Sequence, residues 1–453
     1  MLLFEPVEAF HIKRIKREYK KLLSQNVFDL SSIDLKIAAR VVNLGVNVTS
    51  QSYQSNDLKR GVVVLATELY DTGGHTPVMN KFIDSIVDDY SVSLLLSRLH
   101  NSRVCAPLRH RDLEEKIFVD GVNDSRWHFK KNVFKLYQKI IETNASKVVV
   151  FTHPHDFLAV AVLALVKKHT SINVIFYNHA DHLPSLAISL SDLVVNCRHS
   201  GVYITQYLRK ISRTVKLPLQ SLAKDETVYL TCDQQLSLRR GLGVQDDEQL
   251  TLSGFDGHKI FSDSHDQYLK LIKTLLMKRP NLKHVLISNL NEEQLSKLEQ
   301  VFWDAPEARS RFLLKGMVSQ FNELFQSCDL FIDSFPLGSA LTHIDMMRNK
   351  KPTVVKINTE NALYSFEDYL PKDYKYAFSN LDDMGRGIER LLDEPAEAQR
   401  VVEENYQHYL NTNEYSVVKK RYLDLLSDDS YKDCIEPIIE KGSIQIGCLS
   451  TQV

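Results

Sequence analysis

Short apolar runs alternate with amphipathic stretches over most of this 453-residue chain. Runs rich in Val, Ile, Leu and Phe predict buried strands, and apolar positions recurring every three or four residues predict helices between them. Strands are predicted at Gly61–Ala66, Ser91–Ser97, Lys147–Thr152, Asn173–Tyr177 and Asp192–Val195. Helices are predicted from Thr76 to about Asp88, over Asp156–Lys168 and near Gly201–Lys210. The pattern lapses between Lys216 and Asp247, around Pro218 and the acidic run Asp246-Asp247-Glu248. It then resumes with strands at Leu250–Ser253, His284–Ser288, Asp329–Asp333 and Pro352–Ile357. The helices of this second part are Ser264–Arg279, capped by Ser264, then Asn291–Phe302 and Ser339–Arg348.

Such alternation predicts an α/β fold of two Rossmann-like doubly wound domains. The expected division is a helical N-terminal extension (1–55), an N-terminal domain (56–218), a linker (219–247) and a C-terminal domain (248–395). Residues 396–453 complete it, with one long polar helix over 396–427 and a tail.

Composition narrows the function classes. Hydrophobic residues at 43% and charged residues at 25% suit a folded soluble protein and exclude general disorder. A net charge of -1 gives no global basic field for nucleic acid. Neither a membrane-spanning apolar run nor a signal-peptide pattern is expected. Cys105, Cys197, Cys232, Cys328, Cys434 and Cys448 are dispersed without a CxxC pair, which argues against structural zinc and a disulfide framework. The expected location is cytoplasmic, or the inner face of a membrane. Lys13, Arg14, Lys16, Arg17, Lys20 and Lys21 form a basic run. It reads first as a solvated helix face, with contact to an anionic membrane as the alternative. The oligomeric state has no sequence signal.

Doubly wound sheets bind ligands at the carboxyl ends of their strands, so the chemistry is expected in those loops and, if the two domains face one another, in the cleft between them. After the first strand come Gly73, Gly74, His75 and Thr76. The glycines permit a tight approach to a ligand, and Thr76 can cap the next helix. His75 suits proton transfer or a substrate hydroxyl. The plainer reading is an ordinary strand–helix turn, and the loop lacks both GxGxxG and GxxxxGK[ST]. His153 and His155 follow the third strand, and Asn178-His179-Ala180-Asp181-His182 follow the next. These could ligate a metal; alternatively Asp181 or a nearby histidine takes a proton from an acceptor. Lys259 stands shortly before a helix and could neutralise a diphosphate. Gly338, Ser339 and Ala340 open a helix whose backbone N–H groups, with the Ser339 and Thr342 hydroxyls, suit phosphate. Asp345 shares a face with Thr342 and suits a ribose.

These residues resemble a family. The chain is similar to glycosyltransferases of the two-domain GT-B fold, and its C-terminal half resembles the O-GlcNAc transferase and protein N-glucosyltransferase group. The resemblance rests on Phe255-Asp256-Gly257-His258-Lys259-Ile260, Lys278-Arg279-Pro280-Asn281, Asp333-Ser334-Phe335-Pro336-Leu337-Gly338, Thr342, Asp345 and Pro352-Thr353-Val354-Val355. Gly73-Gly74-His75-Thr76 carries it more weakly in the first half. It implies a nucleotide-sugar donor held by the C-terminal domain: Lys259 on the diphosphate, Gly338 to Thr342 on phosphate, Asp345 on ribose, and Gly74 and His75 facing from the other domain. It also implies that the 396–427 helix crosses back to the N-terminal domain.

The expected function is therefore transfer of a sugar from a nucleoside diphosphate donor, UDP first, to a hydroxyl acceptor, with no cofactor and no metal. The acceptor is a glycan, a lipid-linked glycan or a protein, in bacterial glycan or glycoconjugate synthesis. His75, Asp181 and His182 are the candidate catalytic residues. The alternatives are a metal-dependent hydrolase using His153, His155, His179 and Asp181, a nucleotide-sugar epimerase on the same fold, and a non-catalytic binding protein.

Overall fold

The computed structural model describes residues 5–25, 27–42, 61–70, 74–99, 116–122, 128–219, 229–262, 265–316, 321–364, 367–427, 436–437 and 440. Two compact units divide the chain at Pro218 and Leu219, and the stretch that begins at Val418 belongs with the first unit.

In the first unit, helices α1 (Glu5–Ser24) and α2 (Ser31–Val42) precede the sheet. Both lie in the stretch 1–55 read as a helical N-terminal extension, and Ile15, Tyr19, Ile33, Ile37 and Val41 are buried in one cluster with Val63, Leu65 and Val148 of the sheet. Burying large apolar side chains contributes roughly 1.5–3 kcal/mol each, which fixes both helices to the unit. The strands are β1 (Gly61–Ala66), β2 (Ser91–Leu96), β3 (Phe118–Gly121), β4 (Lys147–Phe151), β5 (Asn173–Asn178), β6 (Leu193–Asn196) and β7 (Thr214–Lys216). All pair in parallel, in the order β3-β2-β1-β4-β5-β6-β7. Between them run α3 (His75–Ile86), α4 (Phe129–Glu142), α5 (Phe157–His169) and α6 (His199–Tyr203). Helix α5 is buried continuously from Phe157 to Val166, as its apolar sequence on all sides requires. Its cap is Asp156, whose Oδ1 accepts from the Ala159 N–H at 2.9 Å. After α6 a single π-helical turn, Ile204–Leu208, replaces the regular helix expected to Lys210.

The second unit begins inside the stretch expected to be a linker. There α7 (Cys232–Gly241) carries a full capping box between Thr231 and Gln234. Arg239 on α7 reaches the Ser327 carbonyl and the Asp329 carboxylate, which anchors the helix to this unit. The strands that follow are β8 (Gln249–Gly254), β9 (Leu282–Ile287), β10 (Phe312–Lys315), β11 (Leu330–Ile332), β12 (Thr353–Lys356) and β13 (Ala377–Phe378). They form a parallel sheet in the order β10-β9-β8-β11-β12-β13. Its helices are α8 (His258–Phe261), α9 (Gln267–Lys278), α10 (Glu292–Phe302), α11 (Pro306–Ser310), α12 (Phe321–Ser327), α13 (Ala340–Arg348) and α14 (Leu381–Asp393). Helix α9 starts after Asp266, which caps it by no side-chain bond; the expected cap, Ser264, lies outside the described residues.

The single long helix expected over 396–427 is two: α15 (Pro395–Thr412) and α16 (Tyr415–Leu426). Asn413 leaves the helical path to donate from its side chain to the Leu219 carbonyl (2.8 Å). The Glu414 carboxylate then accepts the Ser416 N–H (2.8 Å) and starts α16. In the first unit Tyr422 of α16 shares a 2.9 Å hydroxyl bond with Tyr177 of β5.

Both sheets reverse strand order once, between β1 and β4 and between β8 and β11. Each reversal is the topological switch point where this architecture leaves a crevice for ligand.

Candidate functional site

In the first unit the loops after β1, β2 and β4 are tied together at the switch point by Asp156. Its Oδ2 accepts from Thr67 Oγ1 at 2.7 Å and from the Ser97 hydroxyl, while Thr67 Oγ1 accepts the His153 N–H at 2.8 Å. Beside this frame, Glu68 accepts from Tyr70 Oη (2.7 Å) and from Arg98 (3.0 Å).

His75 is the first residue of α3. Its Nε2 lies 2.6 Å from the Phe151 carbonyl, so Nε2 carries the proton and Nδ1 the lone pair. Nδ1 is buried and makes no hydrogen bond among the described residues. Burial pulls the imidazole below its ordinary pKa, so His75 is neutral near pH 7. The His179 ring packs edge-on against it, with centroids 4.4 Å apart. Burial, then the charge His75 would carry, holds His179 well below the usual histidine range. His153 falls to about 4 through burial, then His155 and His75.

Two expectations for this loop change. Thr76 caps nothing; its hydroxyl accepts the Tyr70 N–H at 2.7 Å. Gly74 precedes the helix at φ -81°, ψ -18°, ordinary helical angles that demand no glycine. Gly73 lies outside the described residues.

Asp181 is buried and gripped by Arg198, with Nε to Oδ2 at 2.7 Å and Nη2 to Oδ1 at 2.8 Å. Burial alone would raise its pKa, but the guanidinium outweighs burial and holds the carboxyl far below the usual range. A carboxylate so held is a weak base. His182 stands at the edge of the pair, its Nδ1 3.8 Å from Asp181 Oδ1. Four histidines and Asp181 do not converge on a metal-ligand set. His153 and His155 face each other through Nδ1 atoms 3.2 Å apart, Asp181 belongs to Arg198, and among the described residues no three His, Cys, Asp or Glu stand together as metal ligands. The ligand set of the hydrolase alternative is therefore not assembled.

In the second unit, Lys259 on α8 and the loop after β11 meet at the other switch point. Lys259 Nζ donates to the Gly338 carbonyl (2.9 Å) and to Ser339 Oγ (3.2 Å). Burial lowers its pKa, and the Asp333 and Asp256 carboxylates oppose that. Ser339 opens α13, and its N–H reaches Asp333 Oδ2 at 3.3 Å. Asp333 is wholly buried, with His343 Nε2 3.1 Å from Oδ2 and Oδ1 without a hydrogen bond among the described residues.

The phosphate seat expected from Gly338, Ser339 and Ala340 is thus partly taken: the Gly338 N–H donates to the Tyr364 carbonyl (2.8 Å) and the Ser339 N–H to Asp333. Ala340 begins the helix, and Thr342 and Asp345 lie together on its partly exposed face while His343, Ile344, Met346 and Met347 are buried. The Asp345 carboxylate is 3.5 Å from Arg348 Nη2, which also reaches Asn322 Oδ1 at 2.5 Å.

Sequence reasoning assigned no role to Asp333, His343, Arg198 or Glu68. Asp333, Arg198 and Glu68 stand one or two residues beyond strand ends, which is the signal that would have found them. His343 points inward from a helix and carries no such signal.

No protein-family profile and no curated protein matches this sequence. Solved structures do match in fold. A glycosyltransferase from Rickettsia africae superposes with a TM-score of 0.65 at 11% identity, covering 84% of this chain and 100% of that one. HepE of Anabaena, solved with UDP-glucose, gives 0.60 at 13% identity over 81% of this chain and 99% of its own. A variant of the Thermobaculum terrenum O-GlcNAc transferase gives 0.55 at 11% identity over 92% of this chain and 77% of its own. Two parallel doubly wound sheets amid helices, together with these matches in fold, give the chain the GT-B fold.

Proposed function

We propose that this protein is a glycosyltransferase that moves a sugar from a nucleoside diphosphate, UDP first, to a hydroxyl acceptor. The observation that carries this reading is the half-buried Lys259 held against Gly338 and Ser339 just before α13, with Thr342 and Asp345 further along the partly exposed face of that helix. A diphosphate leaving group needs fixed positive charge, and a lysine beside the positive end of a helix supplies it. We therefore read the reaction as independent of a divalent ion, and insensitivity to chelators checks that reading. Asp345 would take the ribose hydroxyls, with Arg348 fixing its carboxylate.

His75 is the base we favour. The Phe151 carbonyl fixes its tautomer and burial keeps it neutral, so Nδ1 can accept a proton from an acceptor hydroxyl. Asp181, committed to Arg198, is better read as structural. Transfer to a glycan, a lipid-linked glycan or a protein in bacterial glycoconjugate synthesis fits this chemistry equally. The free thiols of the buried Cys197 and Cys328 suit a cytoplasmic location.

Calorimetric titration with UDP and a panel of UDP-sugars, followed by product analysis with and without acceptors, tests the proposal. UDP binding with turnover only when an acceptor is present supports it. A changed sugar nucleotide formed without acceptor makes the protein an epimerase, and absence of nucleotide binding removes the enzyme reading.

A further inference from the structure

Helix α1 has one face that the fold does not use. Ile15 and Tyr19 are buried, and Leu22 and Leu23 pack against the same core. At 100° per residue these side chains fall on one arc, Lys13, Arg14, Arg17, Lys20 and Lys21 fall on the opposite one, and Lys16 stands at the border between them. All six basic residues are exposed. Lys13, Arg14, Arg17, Lys20 and Lys21 make no ion pair among the described residues, and Lys16 lies over the Phe157 ring at 5.1 Å. Glu18, the acid of this stretch, is neutralised by Lys36 of α2. That pair joins the basic arc to the outer stripe of α2, on which Ser32, Leu35, Lys36, Ala39 and Arg40 are exposed. Leu35 is 62% exposed, one of few large apolar side chains so placed. In a chain of net charge -1, so dense a positive strip is a local feature.

We propose that the outer face of α1 and α2 is a docking surface for an anionic lipid bilayer. Each lysine or arginine close to such a surface contributes about 1 kcal/mol of attraction, or roughly fivefold in partitioning. Long basic side chains reach the headgroups while their stems cover the helix. The apolar arc of α1 is committed to the core, so the helix adsorbs by charge and does not embed its apolar face. Leu35 distinguishes a bilayer from a nucleic acid: an exposed leucine beside the strip gains by entering the lipid interface, whereas a phosphate backbone offers it nothing. The inference is independent of the proposed transfer reaction.

Co-sedimentation of the full chain with phosphatidylcholine vesicles, with and without phosphatidylglycerol, tests it. Binding is expected only with the anionic lipid, and it should weaken with salt. The combined variant Lys13→Gln, Arg17→Gln, Lys20→Gln should reduce partitioning by about a hundredfold. Leu35→Ser should reduce it several-fold while leaving retention on heparin unchanged. These positions are on the surface, so an unchanged melting temperature verifies the fold of each variant. The proposal is overturned if the wild type ignores anionic vesicles, or if the triple variant binds them equally well. It is also overturned if duplex DNA binds more tightly than the vesicles and Leu35→Ser alters neither.

Discussion

Lys259 and Ser339, eighty residues apart in sequence, meet through a 3.2 Å hydrogen bond from Nζ to Oγ at the switch point of the second sheet. The contact brings a half-buried cation to the residue that opens α13. Neither feature alone would define an anion site; a helix start is common, and so is a lysine. Their juxtaposition gives the proposed reaction its electrostatic centre.

Replacing Lys259 with Ala should lower kcat/KM by about 10²–10³, the loss usual when one fixed group that stabilises developing charge is removed. UDP affinity should fall with it. Arg at this position should rescue little, because its broad fork replaces a compact ammonium that already has two close oxygen partners. Steady-state kinetics and calorimetry with UDP check both statements, and unchanged turnover in Lys259→Ala removes the assigned role.

The Asp181–Arg198 pair predicts a stability effect that separates structure from catalysis. Removing one partner of a buried ion pair leaves the other uncompensated at a cost of about 3–5 kcal/mol. Asp181→Asn should therefore destabilise strongly, while the double change Asp181→Asn with Arg198→Met should recover much of the loss. Chemical denaturation measures this. A double variant that folds and retains transfer excludes Asp181 as the base; one that folds but is inactive restores it as a candidate against His75.

Much of this arrangement was legible in the sequence. Strands β1, β4 and β5 are buried on both faces, so they read as nearly continuous apolar runs. Strands β3, β7, β10 and β13 are short and lie at or near sheet edges, and their brevity leaves no periodicity to detect. The loops that hold His75, Lys259 and Ser339 followed from the rule that ligands bind at strand ends. What those side chains contact did not follow. Asp181 looked like a free carboxylate until folding placed Arg198 against it, and the Gly338 N–H looked available until Tyr364 took it. Local sequence shows which groups stand at a strand end, while the partners that commit them come from distant segments.

His284 should impose an acid limit on stability. It is buried between the Thr251 and Tyr268 hydroxyls, each 3.0 Å from a ring nitrogen. Burial lowers its pKa to about 3, against about 6.5 in an unfolded chain. The unfolded state therefore binds the proton more readily between these values. The contribution is complete above about pH 6.5 and is lost as pH falls toward 3, with a slope of up to about 1.4 kcal/mol per pH unit. His284→Gln should flatten that part of the curve. Denaturation midpoints measured across the window check it, and an unchanged slope contradicts the assignment.

Asp333 should set the alkaline limit of nucleotide binding. Burial lowers the Lys259 pKa, and the Asp333 carboxylate is the main opposing influence. A lysine with a lowered pKa loses its proton earlier than usual as pH rises. UDP binding should therefore weaken on the alkaline side below the ordinary lysine value of about 10.5. Asp333→Asn removes the carboxylate that helps keep Lys259 charged, so the decline should move to lower pH. At neutral pH the same change removes a negative charge near the diphosphate, and affinity there should hold or improve. A structural role for Asp333 alone predicts the opposite pattern: uniform weakening at every pH, with the limb in place. Calorimetric titrations of wild type and variant with UDP across the alkaline range distinguish the two, and a limb that stays fixed in Asp333→Asn contradicts the electrostatic coupling of these residues.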